Sequence, residues 1–161
     1  MNRLRAVALI AALFVTGAHS SEPISLRLLD PASGAATTVE PGAPLLHLVF
    51  FATWCPPCLA ELDGLAELEA RWEERGYRLV LVAVQSRHTP ERLVRFAADE
   101  QPPGRLLFDD SGKATASLAE EGLPTHILVG ASGEVLLRAT ALEDGVVEAV
   151  ELQMRQRGRE R

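Results

Sequence analysis

The chain contains only two cysteines, and two prolines separate them in the segment Trp-Cys-Pro-Pro-Cys at residues 54–58. An apolar run, residues 45–51, leads into this segment, and a pattern typical of an amphipathic helix follows it. Both thiols are therefore expected where a buried strand gives way to a helix. The free N–H groups at a helix start favour a thiolate. Two thiols at this spacing can close and open a disulfide, which accepts or donates two electrons.

Two other uses of the cysteines are weaker interpretations. A disulfide across two intervening residues closes a very small loop, so as a structural staple it restricts little of the unfolded chain. Zinc usually takes four ligands, whereas the chain offers two sulfurs with no histidine beside them. We therefore interpret the pair as redox-active and expect no metal site. Cys55 is the predicted nucleophile, with an exposed sulfur at the helix start, and Cys58 is the predicted resolving thiol.

The first twenty residues differ from the rest and have the pattern of a secretory signal peptide. Arg3 and Arg5 give a basic start, residues 6–15 are unbroken apolar sequence, and Ala18 and Ser20 supply small residues before a cleavage point after Ser20. The apolar run is shorter than the roughly 20 residues that a membrane span needs. An uncleaved membrane anchor is the alternative. We expect residues 21–161 to form one domain outside the cytoplasm.

Composition supports a folded, acidic domain. The hydrophobic fraction of 47% is enough for a real core. Removing residues 1–20 leaves 14 basic and 22 acidic residues, a net charge of −8. An acidic body argues against non-specific binding of nucleic acid, so we expect no nucleic-acid partner.

The order of the predicted elements is that of an α/β domain. A strand at residues 45–51, a helix at 57–75 that ends before Gly76, and a strand at 79–84 form a β-α-β unit with an expected right-handed crossover. An alternating stretch at 24–29 and a short strand at 37–39 predict an N-terminal hairpin. The remaining predicted elements are a helix from Pro90, a strand at 105–108, a helix at 111–120, strands at 125–131 and 134–139, and a final helix through residues 146–154.

This order, with Trp-Cys-x-x-Cys at the first strand–helix junction, resembles the thioredoxin fold, and it is most similar to the extracytoplasmic TlpA/ResA/CcmG (DsbE)-like branch. Residues 50–61, Phe-Phe-Ala-Thr-Trp-Cys-Pro-Pro-Cys-Leu-Ala-Glu, follow the pattern of that branch almost position by position. The Gly-Leu-Pro-Thr segment at residues 122–125 resembles its cis-proline segment. The hairpin, and an extra helix and strand between residues 89 and 109, match an insertion of this branch. The resemblance covers roughly residues 24–155.

The resemblance implies a thioredoxin fold with an N-terminal β-hairpin extension and a central βα-type insertion. It also implies a thiol–disulfide oxidoreductase that reduces protein disulfides in the cell envelope or periplasm. Apocytochrome c or copper-site proteins are the implied clients, and a membrane protein of the DsbD/CcdA type is the implied electron donor. No cofactor is expected beyond the Cys55–Cys58 disulfide, and contact with the membrane is expected only if the N-terminal segment is not cleaved.

Residues around the cysteines have expected supporting roles. Pro56 and Pro57 remove two N–H donors near the thiolates, which favours a more reducing pair, although they also suit a helix start. Trp54 is expected to cover the surface of the site and contact partners, with ordinary packing as the alternative. Pro124 resembles the cis-proline that faces the cysteine pair. Glu61, three residues after Cys58, is expected to relay its proton, or else to be a solvated surface residue.

The histidines and Val49 decide which residue could accept or donate a proton near the cysteines. The resemblance places Val49 where thioredoxin keeps a buried acid. Some relatives place a glutamate after the next strand, and the nearest equivalent here is His88. A general-base role for His88 is one interpretation, and a surface loop position is the favoured one. His47 and His126 lie within strand patterns, and we interpret both as structural.

The sequence leaves two alternative functions open. One is a metal-binding or metallochaperone module that uses the two thiolates. The other is a peroxidase of the peroxiredoxin type, which places a threonine three residues before the reactive cysteine. Ala52 stands at that position here, so the motif of such enzymes is absent.

Overall fold

The structure is a computed structural model that describes residues 23–143 and 145–159. The predicted signal segment, residues 1–20, lies outside the described residues. Within them, seven strands form one sheet: β1 Leu26–Leu29, β2 Ala36–Val39, β3 Leu45–Phe51, β4 Tyr77–Ala83, β5 Arg105–Phe108, β6 Thr125–Gly130 and β7 Val135–Ala139. The strand order across the sheet is β2-β1-β5-β4-β3-β6-β7.

The central strand β3 carries the cysteine motif at its carboxyl end. It pairs in parallel with β4 and antiparallel with β6, and all seven of its residues are buried. A strand covered on both faces has no solvent side, which is why its sequence is nearly continuous in apolar residues. The β-α-β unit predicted from residues 45–84 is confirmed.

The predicted hairpin and insertion join the same sheet. The hairpin consists of β1 and β2, which pair antiparallel, and β1 continues onto β5 through the pair Leu29 and Phe108. Strand β5 pairs in parallel with β4 and follows the inserted helix. The expected thioredoxin fold, with an N-terminal extension and a central βα-type insertion, is therefore confirmed.

Residues 23–143 and 145–159 also contain five α-helices: α1 Pro56–Ala60, α2 Leu62–Trp72, α3 Pro90–Glu100, α4 Lys113–Leu118 and α5 Val146–Arg159. The single helix predicted for residues 57–75 is divided at Glu61 and ends in a 3₁₀ turn, Glu73–Arg75. The division falls at a residue whose carboxylate is bound to partners outside the helix. Gly76 ends the turn at φ +92°, where an added Cβ would lie 2.5 Å from Pro44.

Helices α2 and α5 meet on the protein surface through Arg71 and Glu151, whose side chains are 2.6 Å apart. The segment before α5 also contacts the junction of α1 and α2, since an added Cβ at Gly64 would meet Leu142 at 2.7 Å. These contacts hold α5 and the segment before it against α2. Among the described residues, no helix has both the length and the apolar character that crossing a membrane requires.

Candidate active site

A disulfide joins Cys55 and Cys58, whose Cα atoms are 5.3 Å apart. Cys55 is the N-cap of α1, with extended backbone angles, and its sulfur accepts a hydrogen bond from the Cys58 N–H at 3.3 Å. Pro56 and Pro57 fill the first two helical positions and have no N–H to donate. The N–H of Cys58 is thus the first donor of the helix, and it points at the sulfur predicted to be the nucleophile.

Both cysteines are largely buried in this disulfide form. Cys55 is 6% exposed and Cys58 is 3% exposed. The expectation that the Cys55 sulfur stays exposed is therefore wrong for this form. The N-cap geometry explains the difference, because it turns the sulfur towards the N–H of Cys58 rather than towards solvent.

Trp54 forms part of the surface beside the disulfide. It is 44% exposed, its indole N–H donates to the Ser86 carbonyl at 3.0 Å, and the Arg87 guanidinium lies 5.3 Å from its ring centroid. Trp54 also lines a groove of about 340 Å³ together with Leu123. The Leu123–Pro124 peptide bond is cis, the conformation that the family resemblance implied.

His88 is a buried histidine that holds the segment before the disulfide. It is 8% exposed, so the favoured expectation of a surface loop position is wrong. Its Nε2 accepts from the Thr53 N–H at 3.2 Å, and its Nδ1 lies 2.6 Å from the Val84 carbonyl. With Nε2 accepting, the proton is on Nδ1 and is donated to Val84. Both ring nitrogens are thereby engaged in fixing the loop.

Glu61 lies at the junction of α1 and α2, and its carboxylate has two partners. Oε2 is 2.8 Å from Nε2 of His126, and Oε1 accepts from the Leu142 N–H at 2.9 Å. Its side chain is only 15% exposed, so the alternative of a solvated surface glutamate is wrong. Its expected role for the proton of Cys58 stays a prediction.

The contact of Glu61 continues into the sheet through two histidines and a tyrosine. Nδ1 of His126 lies 3.1 Å from Nε2 of His47, and Nδ1 of His47 lies 2.7 Å from the hydroxyl of Tyr77. Both histidines are fully buried and Tyr77 is 3% exposed. Burial, and next the neighbouring His126, lower the pKa of His47 well below its usual value. Burial, and next the charge of Glu69, raise the pKa of Tyr77.

A family model described as Redoxin matches residues 28–151 of the chain, which include both cysteines and all of the sheet but its first two residues. The chain belongs to the Redoxin family. Within the described part of this Redoxin chain, no group of three or more His, Cys, Asp or Glu side chains could hold a metal ion.

Relatives of this Redoxin chain are named as thiol–disulfide interchange proteins or oxidoreductases. The thiol:disulfide interchange protein CycY of Rhizobium leguminosarum bv. viciae is 32% identical over 108 residues, covering 63% of this chain and 55% of that protein. The thiol-disulfide oxidoreductase ResA of Bacillus thuringiensis subsp. konkukian is 25% identical over 91 residues, covering 56% and 51%. This chain therefore spans about half the length of these relatives. The resemblance to ResA- and DsbE-type proteins is confirmed.

A solved structure agrees with the fold of this Redoxin chain. StoA from Bacillus subtilis superposes with a TM-score of 0.62 at 20% identity, covering 74% of this chain and 89% of that one. At this identity the likeness concerns the fold alone. The expected thioredoxin-like architecture is therefore supported independently of the cysteine motif.

The sequence identified the cysteine segment of this Redoxin chain but missed the contacts of its histidines. The cis-proline segment was found by resemblance, while the partners of His47 and His126 were not predicted. One signal was available, because a histidine in a continuously apolar strand must find a hydrogen-bond partner when it is buried. Two such histidines, on β3 and β6, could have been expected to find each other.

Proposed function

We propose that the protein is a thiol–disulfide oxidoreductase that exchanges the Cys55–Cys58 disulfide with cysteines of other proteins. The observation that carries this proposal is the position of Cys55 as N-cap of α1, with the Cys58 N–H donating to its sulfur. In the reduced protein the same donor faces the Cys55 thiolate, and hydrogen bonds to a thiolate favour the reactive form. Cys58 then resolves the mixed disulfide formed on Cys55.

The reducing direction is part of the proposal. Pro57 withholds the second helical N–H from the sulfur of Cys55, so the thiolate of Cys55 receives less stabilisation than at an ordinary helix start. A less stable dithiol form gives electrons away more readily, which corresponds to a lower reduction potential. We propose that the protein accepts electrons from a membrane donor of the DsbD/CcdA type and reduces disulfides of other proteins.

The proposed setting is the cell envelope. It rests on the signal pattern of residues 1–20 and on relatives named as interchange proteins. Apocytochrome c and copper-site proteins are the proposed client classes. Trp54 and Pro124 are proposed to contact the client, because the exposed indole and Leu123, the residue before Pro124, line one groove.

A trapping experiment tests the exchange and names the clients. The Cys58→Ser variant cannot resolve a mixed disulfide, so clients should remain bonded to Cys55 when this variant is expressed in the native cell envelope. The matched control is Cys55→Ser, which keeps a thiol at Cys58 but should trap nothing above background. Equal trapping by the two variants would contradict the assignment of Cys55 as nucleophile.

The reduction potential tests the direction. Equilibration with glutathione should give a value nearer to thioredoxin, about −270 mV, than to DsbA, about −120 mV. A value close to that of DsbA would overturn the reducing assignment and leave the exchange reaction itself intact.

A further inference from the structure

Arg87 lies in the turn that follows β4, in a backbone conformation that favours glycine. The His88 N–H donates to the Gln85 carbonyl at 3.2 Å, which makes Arg87 the third residue of this turn. Its φ is +62°. Turns with a positive φ at the third residue usually place glycine or asparagine there, because larger side chains meet steric strain. Since glycine would suit this backbone better, any advantage of Arg87 lies in its side chain.

Contacts with neighbouring elements hold the turn in place. The Ser86 carbonyl accepts from the Trp54 indole N–H at 3.0 Å, and the Arg87 carbonyl accepts from the Arg92 guanidinium at 3.0 Å. His88 is buried and bonded to the segment before the disulfide. The turn is therefore tied both to Trp54 and to α3, and the side chain of Arg87 starts from a fixed backbone.

The guanidinium of Arg87 lies over the indole of Trp54, the residue directly before Cys55. Its central carbon is 5.3 Å from the ring centroid, within the range of a cation–π contact. Both residues are exposed. Neither Arg87 nor Arg92 forms an ion pair with a carboxylate of residues 23–143 and 145–159. A guanidinium has five N–H donors, so Arg87 presents free donors beside the active-site helix.

The charges around the disulfide are unevenly distributed. Arg87 and Arg92 meet at one carbonyl, so two positive charges lie on the Trp54 side of the groove. Three acidic residues near α4, which forms the other side of the groove, are exposed: Asp110, Glu120 and Glu121. Without residues 1–20 the chain has 14 basic and 22 acidic residues. The two arginines are therefore a local basic patch on an acidic protein.

The acidic residue nearest to these arginines in the sequence has other partners. Glu91 directly precedes Arg92 on α3, and a hydrogen bond with Thr89 lowers its pKa, with Arg95 as a smaller cause. Glu91 and Arg95 also line a depression of about 390 Å³ together with Pro31 of the hairpin turn. The carboxylate of Glu91 is thus engaged on the hairpin side of α3.

We propose that Arg87, stacked on Trp54 and supported by Arg92, binds a carboxylate of the client protein beside its reacting cysteine. The inference rests on the proposed function and names a class of client for it: protein disulfides with a glutamate or aspartate next to one cysteine. Arg87 attracts and orients the client and takes no part in the transfer of electrons. It is therefore a specificity-determining residue.

A stacked guanidinium is well suited to this task. Its flat face rests on the indole, while its N–H groups match the two oxygens of a carboxylate. Because Trp54 directly precedes Cys55, a carboxylate held over the indole belongs to a client residue close to the mixed disulfide. At an exposed site such a pair changes a rate by a small factor, and salt weakens it.

Peptides with one capped cysteine test this preference in the reduced full chain. Each cysteine carries a 2-thiopyridyl group, and glutamate, glutamine or lysine occupies the two positions beside it. The thiolate of Cys55 attacks the peptide sulfur, the bond to the cap breaks and pyridine-2-thione leaves. Cys58 then loses its proton to solvent, attacks the sulfur of Cys55 and releases the peptide thiolate. Two electrons thus pass from the cysteine pair to the capped peptide, and stopped-flow absorbance of pyridine-2-thione measures the first attack.

The unmodified protein should react about twofold to fivefold faster with the glutamate peptide than with the glutamine peptide at low salt. The lysine peptide should be the slowest of the three. Arg87→Gln should bring the glutamate-to-glutamine ratio to about one or below, because the rest of the protein is acidic. Arg87→Lys should keep part of the ratio, since lysine retains the charge without the planar fork. In 1 M salt, where the Debye length is about 3 Å, the unmodified protein should lose most of the ratio.

Arg87→Gly separates recognition from a structural role of this residue. Glycine adopts a positive φ freely, so the midpoint of urea denaturation should stay close to that of the unmodified protein while the preference disappears. The matched control is Arg95→Gln, which changes an exposed arginine on the hairpin side of α3 and should keep the full ratio.

Four results would overturn the inference. The unmodified protein could react equally with the glutamate and glutamine peptides at low salt, or Arg87→Gln could keep the full ratio. Arg95→Gln could lose the ratio as completely as Arg87→Gln, which would indicate a general effect of charge. Arg87→Gly could lose the ratio together with a clearly lower urea midpoint, which would mean that Arg87 only holds the turn. If the unmodified reduced protein released no thione from any peptide, the proposed exchange function would fail instead.

Discussion

The backbone N–H of Cys58 donates a hydrogen bond to the sulfur of Cys55 across 3.3 Å. It is the first N–H that α1 offers, because Pro56 and Pro57 occupy the two preceding helical positions. A helix usually directs the second or third N–H at its N-cap side chain, and here only the third remains. The sulfur of Cys55 therefore accepts from one helix N–H, that of Cys58, and the second possible donor is absent because residue 57 is a proline.

Pro57→Ala should make the pair less reducing. The new N–H at the second helical position can reach the sulfur of Cys55 and stabilise its thiolate, so the reduction potential should rise by about 10–30 mV. Equilibration with glutathione measures the potential, and the ultraviolet absorbance of the thiolate measures the titration of Cys55. Pro56→Ala is the matched control, because an N–H at the first position does not reach the cap. Equal shifts in both variants would contradict this explanation.

The sequence predicted the elements that depend on nearby residues. The strand before the motif, the proline start of α1 and the β-α-β unit follow from local apolar pattern and from the lack of an N–H in proline. The site contacts that were missed join residues far apart in the chain. His47 and His126 are separated by 79 residues, and His126 and Glu61 by 65.

The division between α1 and α2 at Glu61 also depends on contacts between residues that are far apart in the chain. The apolar spacing of Leu62, Leu65 and Leu68 continues without interruption, so the pattern predicts one helix. The carboxylate of Glu61 is fixed by His126 and by the Leu142 N–H, and neither contact can be read from a helical repeat. Tertiary contacts thus decide where this helix divides.

His88→Leu should destabilise the protein and loosen the segment before the disulfide. Leucine leaves the Thr53 N–H and the Val84 carbonyl without their partner. A buried polar group that loses its hydrogen bond costs about 1–3 kcal/mol, so a loss of about 2–4 kcal/mol in the free energy of unfolding is expected. Urea denaturation of the oxidised protein measures it.

Ser86→Ala is the control for His88→Leu. Ser86 is exposed and contributes its backbone carbonyl to Trp54, so its replacement should change the stability by less than about 0.5 kcal/mol. A His88→Leu variant as stable as Ser86→Ala would show that the histidine does not hold the loop.

His47 should make the stability of the protein depend on pH below neutrality. The pKa of His47 is well below its usual value in the folded protein, while in the unfolded chain it is about 6.5. Below pH 6.5 the unfolded chain therefore binds a proton that the folded protein does not, and stability falls as the pH falls. One such proton corresponds to about 1.4 kcal/mol per pH unit.

Urea denaturation at pH 7, 6 and 5 tests this dependence on His47. His47→Leu should be less stable at pH 7, because it leaves Tyr77 and His126 without a partner, but it should lose less stability on acidification. Tyr77→Phe keeps the buried histidine and should keep the steeper dependence. Parallel pH dependences for His47→Leu and the unmodified protein would contradict the prediction.

Asp109→Ala should destabilise α4 and the groove beside Trp54. The carboxylate of Asp109 is fully buried, and both the N–H and the hydroxyl of Thr115 donate to it at 2.7 Å. Thr115 lies on α4 and lines the groove that Trp54 shares. Removing this buried acceptor from the two half-buried donors of Thr115 should cost about 3 kcal/mol in the free energy of unfolding, measured by urea denaturation.

Asp110→Ala separates the loss of the hydrogen bonds to Thr115 from the loss of a negative charge near α4. Asp110 is the exposed neighbour of Asp109, and its backbone carbonyl, which alanine retains, accepts a hydrogen bond from the Gln85 side chain. Its replacement should cost less than about 0.5 kcal/mol. If Asp109→Ala also loosens the groove, a peptide substrate should show a higher KM with Asp109→Ala and an unchanged KM with Asp110→Ala. A large loss of stability in both variants would mean that negative charge at the start of α4, rather than the bond to Thr115, supports this helix.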